Sequence, residues 1–437
     1  MSELPKGWAK TVSLFDICRP KQWKTVAKKD LLPDGYPVYG ANGKIGFFST
    51  YTHENPTVMI TCRGASCGNI HISEPKSYIN GNAMALDSLD SSVDVQYLFY
   101  ALRFSNFDNI ISGSAQPQIT QEGLKSLNIP LPKLEEQKRI ADKLDSVLAK
   151  VEAAQARLDK IPAILKRFRQ SVLAAATSGE LTKDWRANNE CFLSLAPINI
   201  ENDAYDVWKK TTKKDIPYTW RYFKLMEMGK IQGGGTPSKS ISEYWDGDIP
   251  WVTPKDMKIA FISSSKINVT EIGVENSSAK FIEKDSILFV VRGMILAHSF
   301  PLAKNLKKVT VNQDMKAITP LEEVDSNYLL FAMQSLSPIF VELASSSTHG
   351  TKRLEAKMYN NVAIPVPPLR EQLEIVRATQ KLFTKAELIE KQYSLAKARI
   401  NKLSQSVLAK AFKGELFARS VKSEIKDIEN SVETIHA

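Results

Sequence analysis

One long segment occurs twice in this chain and constrains its fold more than any other feature. Residues Ile129 to Leu181 and Ile364 to Leu416 align without a gap at a constant offset of 235 positions. The first twelve residues, IPLPKLEEQKRI and IPVPPLREQLEI, agree at seven positions. The last twelve, QSVLAAATSGEL and QSVLAKAFKGEL, agree at nine. The chain is therefore built from two copies of one plan.

Between these conserved ends the copies share few residues, yet both keep apolar side chains at alternating spacings of three and four. The series are Ile140, Leu144, Val147, Val151, Ala154, Leu158, Ile161, Leu165, Phe168 and Val172, and Ile375, Thr379, Leu382, Ala386, Ile389, Tyr393, Ala396, Ile400, Leu403 and Val407. This spacing is typical of a coiled coil. A helix of about 40 residues is roughly 60 Å long, and so narrow an apolar stripe needs a partner. We expect the two copies to pair; the alternative is that each helix packs only on its own globular region.

The predicted helices have recognisable ends. Each follows a proline, Pro132 or Pro367, and carries a glutamate near its first turn, where the helix dipole favours anions; these glutamates are Glu136 and Glu371. Glycines suited to a C-terminal cap follow the last heptad positions, at Gly179 and Gly414. Pro162 falls inside the first helix, with Lys397 at the aligned position of the second, so a kink or break is expected in one copy only.

A region of strand and turn composition precedes each helix. Short β-branched runs such as TVMITCRG and SILFVVRG alternate with Gly, Pro and Asn. A helical run then begins at Asp94 in the first half and at Asp325 in the second. The openings LPKGW and IPYTW place Trp8 and Trp220 near the start of each half, where a core role is more common than a site role. Each half is thus predicted to be an α+β domain that leads into a long helix.

The charge balance indicates a polyanionic partner. The chain of 437 residues has a net charge of +10 and a pI near 9.1, which suits nucleic acid but also suits simple solubility. Its cysteines, Cys18, Cys62, Cys67 and Cys191, show no CxxC pair, so we expect reduced thiols. The sequence offers neither a signal peptide nor a run that could cross a membrane. A cytoplasmic protein is expected.

Catalytic motifs are weak or incomplete. GANGKI (Gly40 to Ile45) lacks the first glycine and the hydroxyl residue of a phosphate-binding loop, and GGGTPS (Gly233 to Ser238) lacks dinucleotide-site spacing. The histidines have no metal-ligand spacing. Glu355 and Lys357 form an ExK tripeptide that a nuclease would need, but it occurs often by chance. The adenine methyltransferase tetrapeptide is missing. The sequence therefore predicts a protein that recognises DNA rather than one that modifies it.

Polar loops supply the candidates for DNA contact. Arginine pairs with guanine and Asn or Gln with adenine, while Lys and small hydroxyls suit phosphates. For each one, an ordinary solvated role is an equal alternative, and the repeated Arg63-Gly64 and Arg292-Gly293 pairs could serve the fold. The candidates are Tyr39, Asn42, Lys44, Arg63, Ser114, Gln116 and Gln118 in the first half, and Ser238, Lys239, Thr253, Lys255, Arg292, His349, Lys352 and Arg353 in the second.

The ordered repetition of these motifs resembles the specificity subunit of type I restriction-modification systems. The likeness covers nearly the whole chain and rests on LPKGW, IPLPKLEEQ with QSVLAAATSGEL, GGGTPS, and IPVPPLREQ with QSVLAKAFKGEL. IPYTW departs from the pattern because it lacks the glycine of LPKGW.

The resemblance implies an α+β fold with two globular α/β target recognition domains, each followed by a long helix. The helices would pair as an antiparallel coiled coil with pseudo-two-fold symmetry and act as a spacer between two half-sites. The implied boundaries are 1–130 and 216–363 for the recognition domains, 131–186 and 364–419 for the helices, 187–215 for a linker and 420–437 for a tail.

The resemblance also implies the partners. The subunit would be non-catalytic and would bind double-stranded DNA, two methylation subunits and restriction subunits. No cofactor is expected in this chain; S-adenosylmethionine, ATP and Mg belong to the partner subunits. A coiled-coil scaffold without DNA affinity, and a hidden nuclease or methyltransferase, are the rival hypotheses.

Overall fold

Two compact units make up the chain. The computed structural model describes Trp8 and residues 11–113, 116–189, 215–346 and 351–417. The first unit comprises residues 1–161 with 391–437, and the second comprises residues 162–390. Each unit therefore combines one globular region with helical segments from both copies of the repeat. The predicted linker is described only at its ends, and the predicted tail lies outside the described residues.

The first unit is built from short strands, short helices and one long helix. Its strands are β1 (Thr11–Ser13), β2 (Arg19–Gln22), β3 (Tyr36–Gly40), β4 (Gly43–Phe48), β5 (Val58–Thr61), β6 (Ile70–Ile72), β7 (Tyr78–Ile79), β8 (Ala83–Asp87) and β9 (Asn128–Pro130). Its helices are α1 (Leu14–Ile17), α2 (Val95–Phe104), α3 (Gln121–Leu124) and α4 (Leu134–Leu158), with a 3-10 turn at Lys28–Asp30.

The second unit repeats this mixture with more strands. Its helices are α5 (Ile161–Ser178), α6 (Lys183–Ala187), α7 (Glu271–Glu275), α8 (Ser326–Ser335), α9 (Ser337–Leu343) and α10 (Ala356–Tyr359), with 3-10 turns at Leu225–Glu227, Ser242–Tyr244 and Met294–Ala297. Its strands are β10 (Arg221–Lys224), β11 (Gly229–Gly233), β12 (Trp245–Val252), β13 (Phe261–Ile262), β14 (Asn268–Val269), β15 (Ile287–Val290), β16 (Leu302–Asn305), β17 (Thr310–Val311), β18 (Met315–Pro320), β19 (Ser345–Ser346), β20 (Lys352–Arg353) and β21 (Ala363–Val366). Helix α11 (Leu369–Phe412) supplies its first half to this unit and its second half to the first unit.

The two units share one sheet topology. Strand order β2-β8-β5-β6 in the first unit is matched by β11-β18-β15-β16 in the second, which adds β13 at the edge. Parallel pairs β3-β7 and β12-β17 also correspond, as do the antiparallel pairs β1-β9 and β10-β21. The internal duplication seen in the helices therefore extends to the globular regions, whose sequences have diverged further.

Central strands and one capped helix form the core of each unit. All four residues of β5 and all four of β15 are buried, as expected for strands covered on both faces. Asp94 caps α2, and Asp325 caps α8. The buried hydroxyl of Tyr97 donates to the carbonyl of Pro130 at 2.7 Å. Tyr328 makes the same bond to Pro365, so the predicted correspondence of these two helices is confirmed.

A buried glutamine joins each long helix to its globular region. Gln137 accepts from the amide of Asp94 at 2.8 Å and donates to the carbonyls of Ser92 and Pro132. Gln372 accepts from the amide of Asp325 at 2.8 Å and donates to the carbonyls of Glu323 and Pro367. These bonds explain why both copies keep the dipeptide Glu-Gln: the glutamine satisfies backbone groups that would otherwise be buried without partners.

The first repeat helix is interrupted, and the second is continuous. Helix α4 ends at Leu158 and α5 begins at Ile161, while α11 runs unbroken from Leu369 to Phe412. The break falls immediately before Pro162, whose ring would clash with a carbonyl one turn earlier in an unbroken helix. The prediction of a break in one copy only is confirmed.

Within each unit, the helices pair in antiparallel directions. In the first unit, Asp159 meets Lys397 at 3.1 Å, and Arg139 lies over the ring of Phe417 at 4.2 Å. In the second unit, Arg169 meets Glu390 at 2.9 Å, and Arg186 pairs with Glu371. Residue numbers rise along one helix as they fall along the other, so the predicted antiparallel pairing is confirmed. Helix α4 also packs on α2 of its own globular region, where Gln96 donates to Asp145 at 2.8 Å.

Most of the predicted heptad positions are buried. Ile140, Leu144 and Leu158 are at most 2% exposed, and even the polar Thr379 is 0% exposed. Phe168 differs, because it is 37% exposed. Leu382, Ile389 and Tyr393 are half-buried. The 3,4 spacing therefore identified most of the seam correctly, and these four positions depart from it.

The glutamates at the starts of the two helices have different surroundings. Glu371 is fully buried and accepts from the indole of Trp220 at 2.9 Å and the hydroxyl of Thr182 at 2.7 Å. Arg186 completes this cluster, as a buried carboxylate requires. Glu136 is instead partly exposed and meets Arg139 at 3.3 Å. Trp220 is thus a core residue, as predicted, and it also orients a buried charge.

Candidate nucleic-acid interface

Three chain segments of the first unit meet around Arg63. The amide of Gly64 donates to the carbonyl of Pro117 at 3.0 Å, and the amide of Ile119 donates to Cys62 at 3.0 Å. Arg63 and Gln118 form a β-bridge between these bonds. The amide of Cys62 in turn donates to the carbonyl of Asn82 at 3.1 Å. This short ladder presents the exposed side chains of Arg63 and Gln118 side by side.

The second unit builds the same ladder around Arg292. The amide of Gly293 donates to the carbonyl of Lys352 at 3.0 Å, and the amide of Leu354 donates to Val291 at 2.9 Å. Arg292 and Arg353 form the β-bridge between them. The amide of Val291 donates to the carbonyl of Asp314 at 2.8 Å. The bonds match those of the first unit one for one, so Arg63 corresponds to Arg292, and Gln118 corresponds to Arg353.

The two residues of the repeated Arg-Gly pair thus have different roles. Gly64 has φ +87° and Gly293 has φ +143°, both in the region that favours glycine. Each glycine amide bonds to the opposite strand of the ladder. The glycines serve the fold, as the alternative in the sequence analysis proposed, while the arginine side chains remain exposed.

A hairpin lies beside the Arg63 ladder. Strands β3 and β4 join at a turn whose Ala41 carbonyl accepts from the hydroxyl of Thr61 at 2.7 Å, two residues before Arg63. Asn42 is exposed at the tip of this hairpin. Lys44 pairs with Glu74 at 3.2 Å. The sequence GANGKI therefore forms a hairpin turn.

Tyr39 differs from the other candidates because it is only 7% exposed. Its hydroxyl donates to a carboxylate oxygen of Glu74 at 3.1 Å. Burial raises the pKa of this phenol. Its contacts are those of a residue that packs the hairpin against the domain. Gln116 is exposed, whereas Ser114 lies outside the described residues.

Two further loops lie beside the Arg292 ladder. The amide of Asn312 donates to the carbonyl of Val252 at 3.1 Å, which places Thr253 and the exposed Lys255 next to the segment that ends in Asp314. The hydroxyl of Thr253 donates to Asp256 at 2.7 Å.

The Gly233 to Ser238 loop joins the same surface. The hydroxyl of Thr236 donates to Gln313 at 2.5 Å, and a Cβ on Gly234 would lie 1.7 Å from the carbonyl oxygen of Val311. Its glycines therefore allow close backbone packing, which is consistent with a turn. Ser238 ends this loop, Lys239 follows it, and both are exposed, whereas His349 lies outside the described residues.

Charge differs between the two ladders. Arg292 lies 3.8 Å from Asp314, and both side chains are partly exposed. Asn82 occupies the position of Asp314 in the first unit, and Arg63 has no ion pair within the described residues. The second unit adds Lys352 and Arg353 where the first has Pro117 and Gln118. The second surface is thus more basic, and its arginine lies near a carboxylate.

Comparison with known proteins identifies the family. The model of the type I restriction modification DNA specificity domain matches residues 5–163 and 217–397. The chain belongs to this family. The two matched stretches cover most of both halves, in agreement with the internal duplication.

Other members of the specificity family are similar along most of the chain. The EcoDI specificity subunit of Escherichia coli is 29% identical over 423 residues, 95% of this chain and 90% of that protein. The EcoBI specificity subunit of the same organism is 31% identical over 397 residues, 89% and 76% of the two chains. The HsdS subunit from Thermoanaerobacter tengcongensis has a similar fold, with a TM-score of 0.55 at 19% identity over 95% of this chain and 98% of that one.

The remaining features of this specificity-family chain are the ExK tripeptide, the cysteines and the long helices. Glu355 and Lys357 pair with each other at 3.4 Å on the surface. In the described ranges, no group of three or more His, Cys, Asp or Glu side chains could hold a metal ion. Cys18, Cys62 and Cys67 are free thiols, and burial raises the pKa of each; Cys191 lies outside the described residues. None of the described helices is long and apolar enough to span a membrane.

Asn82, Gln313 and Asp314 were missed by the sequence reasoning. They precede β8 and β18, in the aligned strings NGNAM and NQDMK. Their backbone or side chains contact the arginine ladder or the neighbouring glycine loop. The sequence did contain a signal for these residues. Each precedes a strand that runs antiparallel to the strand before an Arg-Gly pair, so it lies beside the end of that strand.

Proposed function

We propose that this chain is the DNA-recognition subunit of a type I restriction-modification system and that each unit contacts one half of a two-part target. Residues 1–130 and 216–363 are the proposed recognition domains. The paired helices are the proposed spacer between half-sites. A specificity subunit selects the sequence and catalyses no step of its own.

The observation that carries this proposal is the duplicated arginine ladder. In each unit, backbone hydrogen bonds fix an exposed arginine beside a second polar side chain just beyond the end of a central strand, Arg63 with Gln118 and Arg292 with Arg353. Arginine is the side chain that most often reads guanine in the major groove, and Gln can pair with adenine. Lysines and hydroxyls on the adjoining loops suit phosphates. The differences between the two ladders support recognition of a different sequence by each unit.

The partners and cofactors follow from the same proposal. Two methylation subunits would bind the chain and supply the S-adenosylmethionine site, and restriction subunits would supply the ATP and Mg sites. The proposal gives this chain DNA contacts and subunit contacts only. Activity of the isolated chain with metal or S-adenosylmethionine would contradict it.

Single arginine variants test the assignment of one ladder to each half-site. We expect Arg63→Ala and Arg292→Ala each to weaken binding by about tenfold to a hundredfold. Each variant should also lose discrimination at base pairs of one half-site only. Binding of the complex with its methylation subunits to duplexes carrying single base-pair changes measures both effects. Arg377→Ala is the control, because Arg377 is exposed on α11 and pairs with Glu374 at 2.7 Å.

Two results would contradict the proposal. One is loss of discrimination in both half-sites after a single arginine change. The other is binding that lacks a steep decrease with salt, because phosphate contacts release counterions. A coiled-coil scaffold without DNA affinity predicts neither sequence preference nor salt dependence.

A further inference from the structure

An apolar tip lies immediately after Arg292. Met294 is 62% exposed and Ile295 is 45% exposed, although both are large apolar side chains. They occupy a 3-10 turn that is anchored by Leu296, which is fully buried. The amide of Leu296 donates to the carbonyl of Gly293 at 3.2 Å and closes the turn. The fold therefore holds these two side chains out into solvent.

The first unit has the same turn without the apolar tip. The amide of Cys67 donates to the carbonyl of Gly64 at 3.0 Å, which is the equivalent bond. The two central residues there are Ala65 and Ser66. Turn geometry alone thus does not require large apolar residues at this place. The exposure of Met294 and Ile295 is a property of the second unit.

Basic side chains border the tip. The backbone hydrogen bond from Gly293 to Lys352 joins the turn to β20. Arg292 and Arg353 form a backbone β-bridge in the same ladder. Exposed apolar groups among cations suit a polyanion that also carries apolar groups. Among the groups that base pairs present in the major groove of DNA, that description fits the C5-methyl group of thymine.

We propose that Met294 and Ile295 contact thymine methyl groups in the half-site bound by the second unit. This inference rests on the proposed function and names the chemical group that this unit recognises. Arg292 supplies the polar contact to a neighbouring base edge, and the tip excludes water from the methyl groups beside it. The first unit, with Ala65 and Ser66 in the turn, lacks this contact.

Deoxyuridine substitution tests the inference, because it removes only the methyl group. The complex of this chain with its methylation subunits is used, on the target found by methylation sequencing of the host genome. Each thymine of the second half-site is replaced in turn. The unaltered protein should lose affinity by about fourfold at one or more of these positions, from the transfer free energy of one methyl-sized group.

Variants of the tip complete the experiment. The double variant Met294→Ala, Ile295→Ser reproduces the turn of the first unit and should bind thymine and deoxyuridine duplexes equally. The pair Met294→Leu, Ile295→Val keeps the apolar surface and should keep the sensitivity. Deoxyuridine in the first half-site should affect the unaltered protein and both variants to the same degree. Thermal unfolding verifies that the variants fold.

The outcomes separate this inference from the function on which it rests. Equal sensitivity of the unaltered protein and the Ala/Ser variant to deoxyuridine would overturn it. A second half-site without thymine would also overturn it. If the unaltered complex prefers no two-part target at all, the proposed function itself fails.

Discussion

Gln137 and Gln372 show how single residues attach the long helices to the globular regions. Each side chain uses both its oxygen and its nitrogen on three backbone groups. They are 1% exposed, so water cannot replace these partners. Because lost bonds would leave donors and acceptors buried without partners, the two glutamines are more constrained than the residues around them.

The residue-scale prediction concerns Gln372→Ala. The change leaves the amide of Asp325 and the carbonyls of Glu323 and Pro367 without this partner, and we expect it to lower the free energy of unfolding by about 2 kcal/mol. Urea unfolding followed by circular dichroism measures the effect. Gln392→Ala, at an exposed position of the same helix, is the matched control and should leave the transition unchanged. An equal response of both variants would disprove the anchoring role.

At the scale of elements, the paired helices keep one apolar seam, although the first repeat helix is interrupted and the second is continuous. The seam tolerates Thr379 at a fully buried position, and the interruption at Pro162 leaves two segments that each pair with a different half of α11. Helix-to-helix ion pairs involve residues that the charge pattern alone would assign to solvent, such as Arg169 and Lys397. Basic side chains within a helix can thus serve pairing as well as solubility.

The element-scale prediction concerns helix length. Inserting seven residues after Val151 and seven after Ser404, at levels opposed in the first unit, adds one heptad to each helix and keeps the seam in phase. Because the insertion adds about 10 Å of helix, the complex should prefer a longer spacer between half-sites. Methylation of a library with varied spacers measures this preference. Replacing seven residues in place, without insertion, is the length control, and an unchanged spacer preference would contradict the spacer role.

At the scale of the whole molecule, two units of one topology carry different surfaces. Strand order, helix caps and arginine ladders correspond, whereas the side chains beside the arginines do not. This combination suits a protein whose two recognition surfaces can change independently. It also fits membership of a family whose model matches both halves.

The corresponding prediction is an exchange of one recognition domain. Replacing residues 216–361 with the equivalent segment of another family member should alter one half of the recognised sequence and leave the other intact. Each unit has its own core and its own ladder, so we expect the exchange to leave the recognition surface of the other unit unchanged. Methylation sequencing of cells that carry the chimera reports the new target. A change in both halves would refute modular recognition.

Local periodicity explains which features could be predicted from the sequence. The helices, their pairing, the break before Pro162 and the capping glycines follow from spacing and backbone chemistry within one segment, whereas the antiparallel direction was implied by the family resemblance. Gly179 and Gly414 indeed adopt φ +82° and +76°. The matching Arg-Gly pairs could also be recognised from the alignment of the two halves.

Contacts between distant segments explain what could not be predicted. Tyr39 lies in a polar loop by sequence, but its hydroxyl bonds to Glu74, 35 residues away. The pairing of Arg292 with Asp314 and the burial of Glu371 among Trp220, Thr182 and Arg186 likewise depend on tertiary structure. Sequence patterns named Arg63 and Gln118 separately, and only the ladder shows that they are neighbours.

The division of α11 between two units has a consequence for synthesis. A chain emerging from the ribosome completes residues 162–390 before it completes 391–417, yet the later residues belong to the first unit, where the ring of Phe412 lies 5.7 Å from that of the buried Tyr97. The first unit is therefore expected to complete its packing only after residues 391–417 have been made, later than the second unit. This order would be the reverse of vectorial folding, in which N-terminal regions usually finish first.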